Sequence, residues 1–125
     1  MNANIPAVSV MALTIDCADP AALAEFWGNA LGRPVSPGST AEMAQLEAAG
    51  PASGPRMFFQ RVPEAKTIKN RLHLDLATEH YDQEIERLTG LGAKAVDEVK
   101  VPGVRWTTFA DPEGNEFDLL TFKSE

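Results

Sequence analysis

The sequence has few cysteines and no long apolar run, and each shortage excludes a class of protein. Cys17 is the single cysteine among 125 residues, so the chain can form no intramolecular disulfide and no zinc site built from several cysteines. No stretch approaches the roughly 20 apolar residues of a membrane-spanning helix, and no charged segment followed by an apolar run opens the sequence. We therefore expect an intracellular protein and predict a cytoplasmic location.

Basic residues are also scarce. Eleven lysines and arginines stand against 18 aspartates and glutamates, which gives a formal net charge of -7. This balance opposes binding to nucleic acid phosphates or to an anionic membrane surface. Glycine-rich phosphate loops, Gly-x-Ser-x-Gly elbows and His-Glu-x-x-His helices are absent as well. What remains is ordinary for a single globular domain, with 44% hydrophobic and 23% charged residues.

One pattern occurs twice along the chain. In its first occurrence, an apolar run from Val8 to Ile15 predicts a strand. Asp19 and Pro20 then supply an N-cap and a first-turn proline, and Gly32 follows the helical apolar stripe that includes Trp27. In its second occurrence, the alternation from Arg71 to Leu76 predicts a strand and a second helical stripe ends at Gly92.

Each helix is followed by segments that read as strands. In the second half these lie around 93–99, 105–110 and 116–122, with a turn at Asp111–Asn115 that predicts a hairpin. In the first half the clearest is Met57–Val62, while 36–40 and 50–55 are predicted as loops. The sequence thus predicts an α+β domain of two paired βαβββ modules, the first at about 7–62, a linker at about 63–69 and the second at about 70–123.

This order of elements resembles the vicinal oxygen chelate superfamily, and more narrowly its glyoxalase-like branch, which shares its fold with bleomycin resistance proteins and dioxygenases. The residues that carry the resemblance are Asp19–Trp27, Val62–Lys66 with Lys69–Asp75, and Asp111–Phe117. The resemblance implies a cupped eight-stranded mixed sheet around a small-molecule pocket. It also implies a site for one divalent metal ion with ligands from four strands.

Placing the superfamily's ligand positions on this chain gives an incomplete set. His73 matches the histidine of the second module, and Asp118 lies where a final glutamate is usual. Gln60 falls at the last ligand position of the first module, and the first-strand histidine is replaced by Ala12 or, in the other register, by Thr14. The resemblance therefore implies either one divalent ion (Zn, Ni, Mn, Mg or Fe) on His73, Asp118 and Gln60, or no metal.

A two-histidine, one-carboxylate iron site is not available, because His80, the only other histidine, falls at the start of the second helix. His73 and Asp118 are the candidate catalytic residues, with His73 as a general base that Asp118 orients. The plainer interpretation is that both are polar-face residues that bond to neighbours.

Four residues are predicted to line a ligand pocket: Gln60, Arg71, Asp75 and Trp106. Arg71 and Asp75 share a strand face with His73, whereas Trp27 belongs to the helical stripe and is predicted to lie in the core. Lys66, Lys69 and Arg71 form a basic cluster that suits either an anionic substrate group or solvent. Cys17 has no base beside it and is interpreted as structural.

We therefore predict a protein that binds a small organic ligand and acts as a lyase or isomerase beside a carbonyl. The alternative is a non-catalytic protein that sequesters a drug, as bleomycin resistance proteins do; a third reading is an interaction module whose cup is filled by side chains. The expected partners are a small molecule and, by resemblance, a second copy of the chain in a homodimer.

Overall fold

The computed structural model describes residues 5–48, 50 and 54–122. These residues form two helices and seven strands in an α+β arrangement, as predicted. In chain order the elements are β1 Ala12–Cys17, α1 Pro20–Leu31, β2 Met43–Leu46, β3 Arg56–Arg61, β4 Asp75–Ala77, α2 Tyr81–Leu91, β5 Lys94–Val101, β6 Val104–Ala110 and β7 Glu116–Thr121. Neither helix has the length and apolar character that crossing a bilayer would require.

The helix ends lie where the sequence signals predict them. The Asp19 side chain accepts a hydrogen bond from the backbone N–H of Ala22, and Pro20 opens α1. Both helices end at a glycine with positive φ, 66° at Gly32 and 118° at Gly92, a conformation that a side chain would strain.

The strands form two separate hydrogen-bonded sheets. The first sheet has the order β1-β3-β2, and the second has the order β4-β7-β6-β5. In each, the strand that precedes the helix pairs in parallel with the last strand of its unit, β1 with β3 and β4 with β7, and the other pairs are antiparallel. The two sheets thus repeat one topology, the first with one strand fewer.

An eighth strand is reduced to one bridge. Val35 pairs with Leu46 in an antiparallel bridge, and the N–H of Ser36 donates to the carbonyl of Gln45 over 2.9 Å. Prolines at positions 34 and 37 flank this bridge and have no N–H to continue a ladder. Pairing therefore stops after one residue, and the described part of the chain holds seven strands where the resemblance implies eight.

Two strands begin later than predicted. β1 begins at Ala12, which lies opposite Arg56, and the preceding residue of the partner strand is Pro55, which has no N–H to donate. β4 begins at Asp75 instead of Arg71, because the Asn70 side chain takes the place of a ladder residue. Its Oδ1 accepts from the N–H of Glu116 over 3.0 Å and its Nδ2 donates to the Glu116 carbonyl over 3.3 Å.

Aromatic side chains of α1 join the two sheets. The Trp27 ring lies edge-on to Phe117 of β7 at 4.8 Å between centroids, and Phe117 stacks on Phe109 of β6 at 5.5 Å. Trp27 is 2% exposed, which confirms its predicted core position, and its indole N–H donates to Oδ2 of Asp111 over 3.0 Å. The helix of the first unit is therefore anchored in the second unit.

Candidate functional site

One face of the second sheet packs on the helices and the other is open. Phe117 and Leu119 are buried in the core, so the alternating residues Asp118 and Leu120 point to the opposite face. Register places Asp118 beside Asp75 of β4 on one side and Thr108 of β6 on the other. A row of polar side chains therefore crosses the open face of three adjacent strands.

His73, just before β4, reaches into this row. Its Nε2 lies 3.2 Å from Oδ1 of Asp75 and 3.5 Å from Oδ2 of Asp118. The ligand atoms of these three residues all lie within 4.8 Å of one another, and they form the only such group of three or more His, Cys, Asp or Glu in the part of the chain that the structure describes. We call His73, Asp75 and Asp118 the donor cluster.

The two carboxylates of the donor cluster differ in their surroundings. The Asp118 side chain is 17% exposed, and its Oδ1 accepts a hydrogen bond from the Thr108 hydroxyl over 2.6 Å. The Asp75 side chain is 59% exposed and has no described partner besides His73. Asp118 is thus held in place, whereas Asp75 has an oxygen open to solvent or to a ligand.

Sequence reasoning did not identify Thr108, although the signal was present. The turn at Asp111–Asn115 joins β6 to β7 and pairs Ala110 with Glu116. Counting outward from this turn by two residues on each strand places Thr108 opposite Asp118. The register of the predicted hairpin therefore places Thr108 beside Asp118, which the residue types alone do not show.

The donor cluster fits a divalent metal ion. Two ligand atoms about 2.1 Å from a tetrahedral ion lie about 3.4 Å apart, and the imidazole nitrogen lies 3.2 and 3.5 Å from the two carboxylate oxygens. One imidazole and two carboxylates form a donor set that Zn, Mn and Fe accept in proteins, and three protein ligands leave positions for water or a ligand.

The first sheet offers few donors at the corresponding places. Ala12 and Thr14 lie on β1 opposite Arg56 and Phe58, so neither register puts a histidine on this strand. Gln60 lies on β3 between Asp16 and Met43, with its side chain exposed. Among the hydrogen bonds of the described residues, none connects Gln60 to the donor cluster. Its assignment as a third ligand therefore stays a prediction.

A cavity of about 300 Å³ lies where the two units meet, and His73 is part of its wall. Its lining is mainly apolar, with Leu13, Ile15, Trp27, Leu72, Leu74 and Phe117. Arg71, predicted to line a pocket, does line this one. The cavity therefore places an apolar space, an arginine and one member of the donor cluster side by side.

Trp106 occupies a different part of the open face. It lies on β6 between Val99 of β5 and Leu120 of β7, two residues from Thr108 and therefore on the same face as Asp118. It is half-buried and does not line the 300 Å³ cavity. Val99, Trp106 and Leu120 form an apolar row next to the polar one.

Cys17 is unsuited to nucleophilic chemistry, as predicted. Burial and then the nearby Glu113 carboxylate raise the pKa of its thiol from 9.0 to about 11, with smaller contributions from Asp16, Asp19 and Asp111. The side chain is 4% exposed, and the thiol lies 3.6 Å from the carbonyl of Gln60. A thiol held protonated and buried is a structural residue.

Comparisons with known proteins agree with this fold. A family described as "Glyoxalase-like domain" matches residues 12–120. A search of curated protein sequences found no match. Among solved structures, a glyoxalase/bleomycin resistance protein/dioxygenase family enzyme from Burkholderia phytofirmans superposes with a TM-score of 0.75 at 14% identity, over 93% of this chain and 100% of that one.

Two further structures show the same likeness. A glyoxalase/bleomycin resistance protein/dioxygenase from Nocardioides has a TM-score of 0.70 at 18% identity, over 96% of this chain and 87% of that one. The fosfomycin resistance protein FosX from Listeria monocytogenes, complexed with Mn(II) and dihydroxypropylphosphonic acid, has a TM-score of 0.71 at 18% identity, over 89% and 87% of the two chains. At these identities the likeness concerns the fold.

Proposed function

Because the chain belongs to the glyoxalase-like domain family of the vicinal oxygen chelate superfamily, we propose that it binds a small organic molecule beside the donor cluster and acts on it as a lyase or isomerase. The observation that carries this proposal is the convergence of His73, Asp75 and Asp118, of which His73 also lines a mainly apolar cavity. Pockets that bind small molecules combine apolar walls with a few converging polar groups.

His73 and Asp118 would hold a divalent ion, with Asp75 in reach as a third ligand. A bound ion supplies Lewis-acid polarisation of a substrate carbonyl, which makes the hydrogens on the adjacent carbon more acidic. Thr108 fixes one oxygen of Asp118, so that ligand keeps its orientation without the ion. The donor set is thus prepared by the sheet and its hairpin.

Asp75 is the residue of this cluster that would move a proton. Oδ1 of Asp75 faces His73, and the side chain is far more exposed than that of Asp118. A carboxylate oxygen without a hydroxyl donor is the better proton acceptor. Without an ion, His73 would accept the proton instead. Its Nε2 lies beside the two carboxylates, so Nδ1 is the nitrogen that is left to accept a proton.

The test measures proton exchange directly. Small 2-oxo acids and hydroxyketones are incubated in D2O with the protein, alone or with Mn²⁺ or Zn²⁺, and deuterium uptake next to the carbonyl is followed by NMR. We expect exchange with wild type, loss in His73→Ala and Asp75→Asn, and retention in Gln60→Ala of the first sheet. Asp75→Asn should still bind the ion, whereas His73→Ala should not.

A second function is favoured by one observation in the first sheet. Ala12 and Thr14 provide no histidine on β1, so the ligand set implied for the superfamily is incomplete. A protein that only sequesters a small molecule, such as a drug, needs a cavity but no metal ligands. Stoichiometric binding of a ligand with no exchange in any of the probes would replace the enzyme proposal with this one.

We also propose a cytoplasmic homodimer. Its support is the set of large apolar side chains that remain exposed near the edge strands β1 and β4, namely Val8, Val10, Met11, Ile68 and Leu72. Covering such side chains and unpaired strand edges with a second copy removes both from water. Light scattering on the purified protein checks this: a mass of one chain at all concentrations would contradict it.

A further inference from the structure

The three residues of the basic cluster, Lys66, Lys69 and Arg71, differ in their contacts. Lys69 forms an ion pair with Glu116, and this contact lowers the pKa of the Glu116 carboxyl. The ammonium of Lys66 donates to the backbone carbonyl of Ile68. In the described part of the chain, no hydrogen bond or ion pair engages the guanidinium of Arg71, although five donors are available on it. Arg71 is the member left for a ligand.

Arg71 belongs to the wall of the 300 Å³ cavity together with His73. The nearest polar neighbour along the chain, Asn70, uses its side chain to hold the backbone of Glu116 and the carbonyl of Leu72. This fixes the segment that carries Arg71 at one side of the cavity. Most of the remaining lining is apolar, with Leu13, Leu74 and Phe117 among its residues. The cavity is thus suited to a molecule with an apolar body and an anionic end.

The charges around the cavity select the kind of anion. Glu116, the carboxylate in the lining, is neutralised by Lys69, which leaves Arg71 as the one uncompensated cation among the described residues of the wall. Asp75 and Asp118 lie directly behind His73 and repel negative charge. One guanidinium balances a single negative charge, whereas a dianionic phosphate or phosphonate would bring a second charge next to these carboxylates.

We propose that Arg71 anchors the ligand, and that this ligand is a small monoanionic carboxylic acid with an apolar body. The planar guanidinium matches the two oxygens of a carboxylate, and the volume of the cavity lies at the lower end of the range for small-molecule sites. This inference rests on the proposed function for the place of the site, but anion binding requires neither turnover nor a metal.

The experiment compares three probes of the same body: phenylacetate, its neutral amide phenylacetamide, and the dianion-forming phenylphosphonate. Each is titrated into the full chain at neutral pH with EDTA present, so that a metal cannot mediate binding, and backbone amide shifts are followed by NMR. We expect phenylacetate to bind more tightly than both others, with shifts at Leu72 and Phe117, and to weaken as salt is added.

Two variants separate the anchor from general charge. Arg71→Gln should weaken phenylacetate binding by about tenfold, the lower range for a charge-assisted hydrogen bond at an exposed site. Lys100→Gln removes the same charge from β5, away from the cavity, and should leave the affinity unchanged. Equal affinity for acid and amide, equal effects of the two variants, tighter binding of the phosphonate, or no binding of phenylacetate would each overturn the proposal.

The two proposals fail in different ways. Loss of proton exchange with intact carboxylate binding contradicts the catalytic proposal alone. Proton exchange without a preference for carboxylates contradicts the assignment of Arg71 alone. Thermal melts of Arg71→Gln and Lys100→Gln serve as folding checks, and both should match wild type because neither side chain has a described partner.

Discussion

The two sheets share a topology and differ on their open faces. In the second sheet this face carries Asp75, Asp118 and Thr108, which His73 joins. In the first sheet the corresponding strands carry Thr14, Asp16 and Gln60 on this face, with no histidine among them. The faces that pack on the helices are apolar in both units, because the core constrains them. One fold repeated twice can thus keep its packing in both copies and its chemistry in one.

The two helices differ in how much they bury, and here the first unit contributes more than the second. α1 of the first unit has seven buried residues, including Phe26 and Trp27, whereas α2 of the second has two, Tyr81 and Leu88. The first unit therefore contributes the larger share of helix packing, and its Trp27 reaches Phe117 and Asp111 of the second. We therefore expect a substitution in α1 to lower the free energy of unfolding more than a substitution on the open face of the second sheet does.

The largest expected effect is a loss of stability, and it distinguishes the two tryptophans. Trp27→Ala removes a fully buried ring and should lower the free energy of unfolding by about 3–5 kcal/mol, as measured by urea denaturation. Trp106→Ala removes a half-buried ring from the open face and should cost less than half as much. Equal losses for the two variants would contradict the placement of the core.

The next effect concerns the place where the units meet. Glu113 of the second unit accepts hydrogen bonds from the N–H groups of Ala18 and Asp19 over 2.7 and 2.8 Å. Burial, and after it the Glu113 carboxylate, raises the pKa of the Cys17 thiol to about 11. The folded chain keeps this proton at a pH where the unfolded chain, with its thiol pKa of 9.0, releases it. The thiol therefore stabilises the fold below pH 9, and this contribution is lost as the pH rises toward 11.

Denaturation of wild type and Cys17→Ala across this range measures the contribution. The difference between the two free energies of unfolding should change by on the order of 2 kcal/mol as the pH rises through the window. Glu113→Gln should lower the pKa of Cys17 and so narrow the pH range over which this contribution to stability is lost. A difference between wild type and Cys17→Ala that stays constant with pH would show that the thiol is not perturbed.

A smaller effect compares two threonines at open-face positions. Thr108→Val removes the hydroxyl that holds Asp118 and should weaken Zn²⁺ or Mn²⁺ binding by about tenfold in a calorimetric titration, as expected for a residue that orients a ligand. Thr14→Val makes the same change on β1 of the first sheet and should leave the affinity at the wild-type value. Matching losses in the two variants would remove the distinction between the sheets.

Much of the fold was predictable because its signals are local. The caps at Asp19, Gly32 and Gly92 and the hairpin turn each depend on a few adjacent residues, and the structure confirms them. The division into modules at 7–62 and 70–123 stays a prediction, although among the described strands none of one sheet pairs with a strand of the other.

The strand β2 could not be predicted in this way. Its segment Met43–Leu46 is rich in residues that favour helices, and it is a strand only because it pairs with β3, where Ala44 lies opposite Phe59. Tertiary pairing overrides local propensity here. The same applies to Asn70, whose side chain replaces the first ladder bonds of β4.

The candidate site was predicted in its residues but not in its grouping. Strand alternation put His73 and Asp75 on one face, and the resemblance added Asp118 from the end of the chain. Only the parallel register of β4 and β7 shows that Asp75 joins them, because the register of strands far apart in sequence depends on the whole sheet.

We place the metal donors of this protein in the second sheet. The metal content of freshly purified protein can be measured by elemental analysis, before and after addition of Mn²⁺ or Zn²⁺ and gel filtration. His73→Ala, Asp118→Ala and Gln60→Ala are measured alongside wild type. We expect near-stoichiometric metal in wild type and Gln60→Ala and its loss in His73→Ala and Asp118→Ala. Metal-free wild type, or metal lost equally in Gln60→Ala, would contradict this placement.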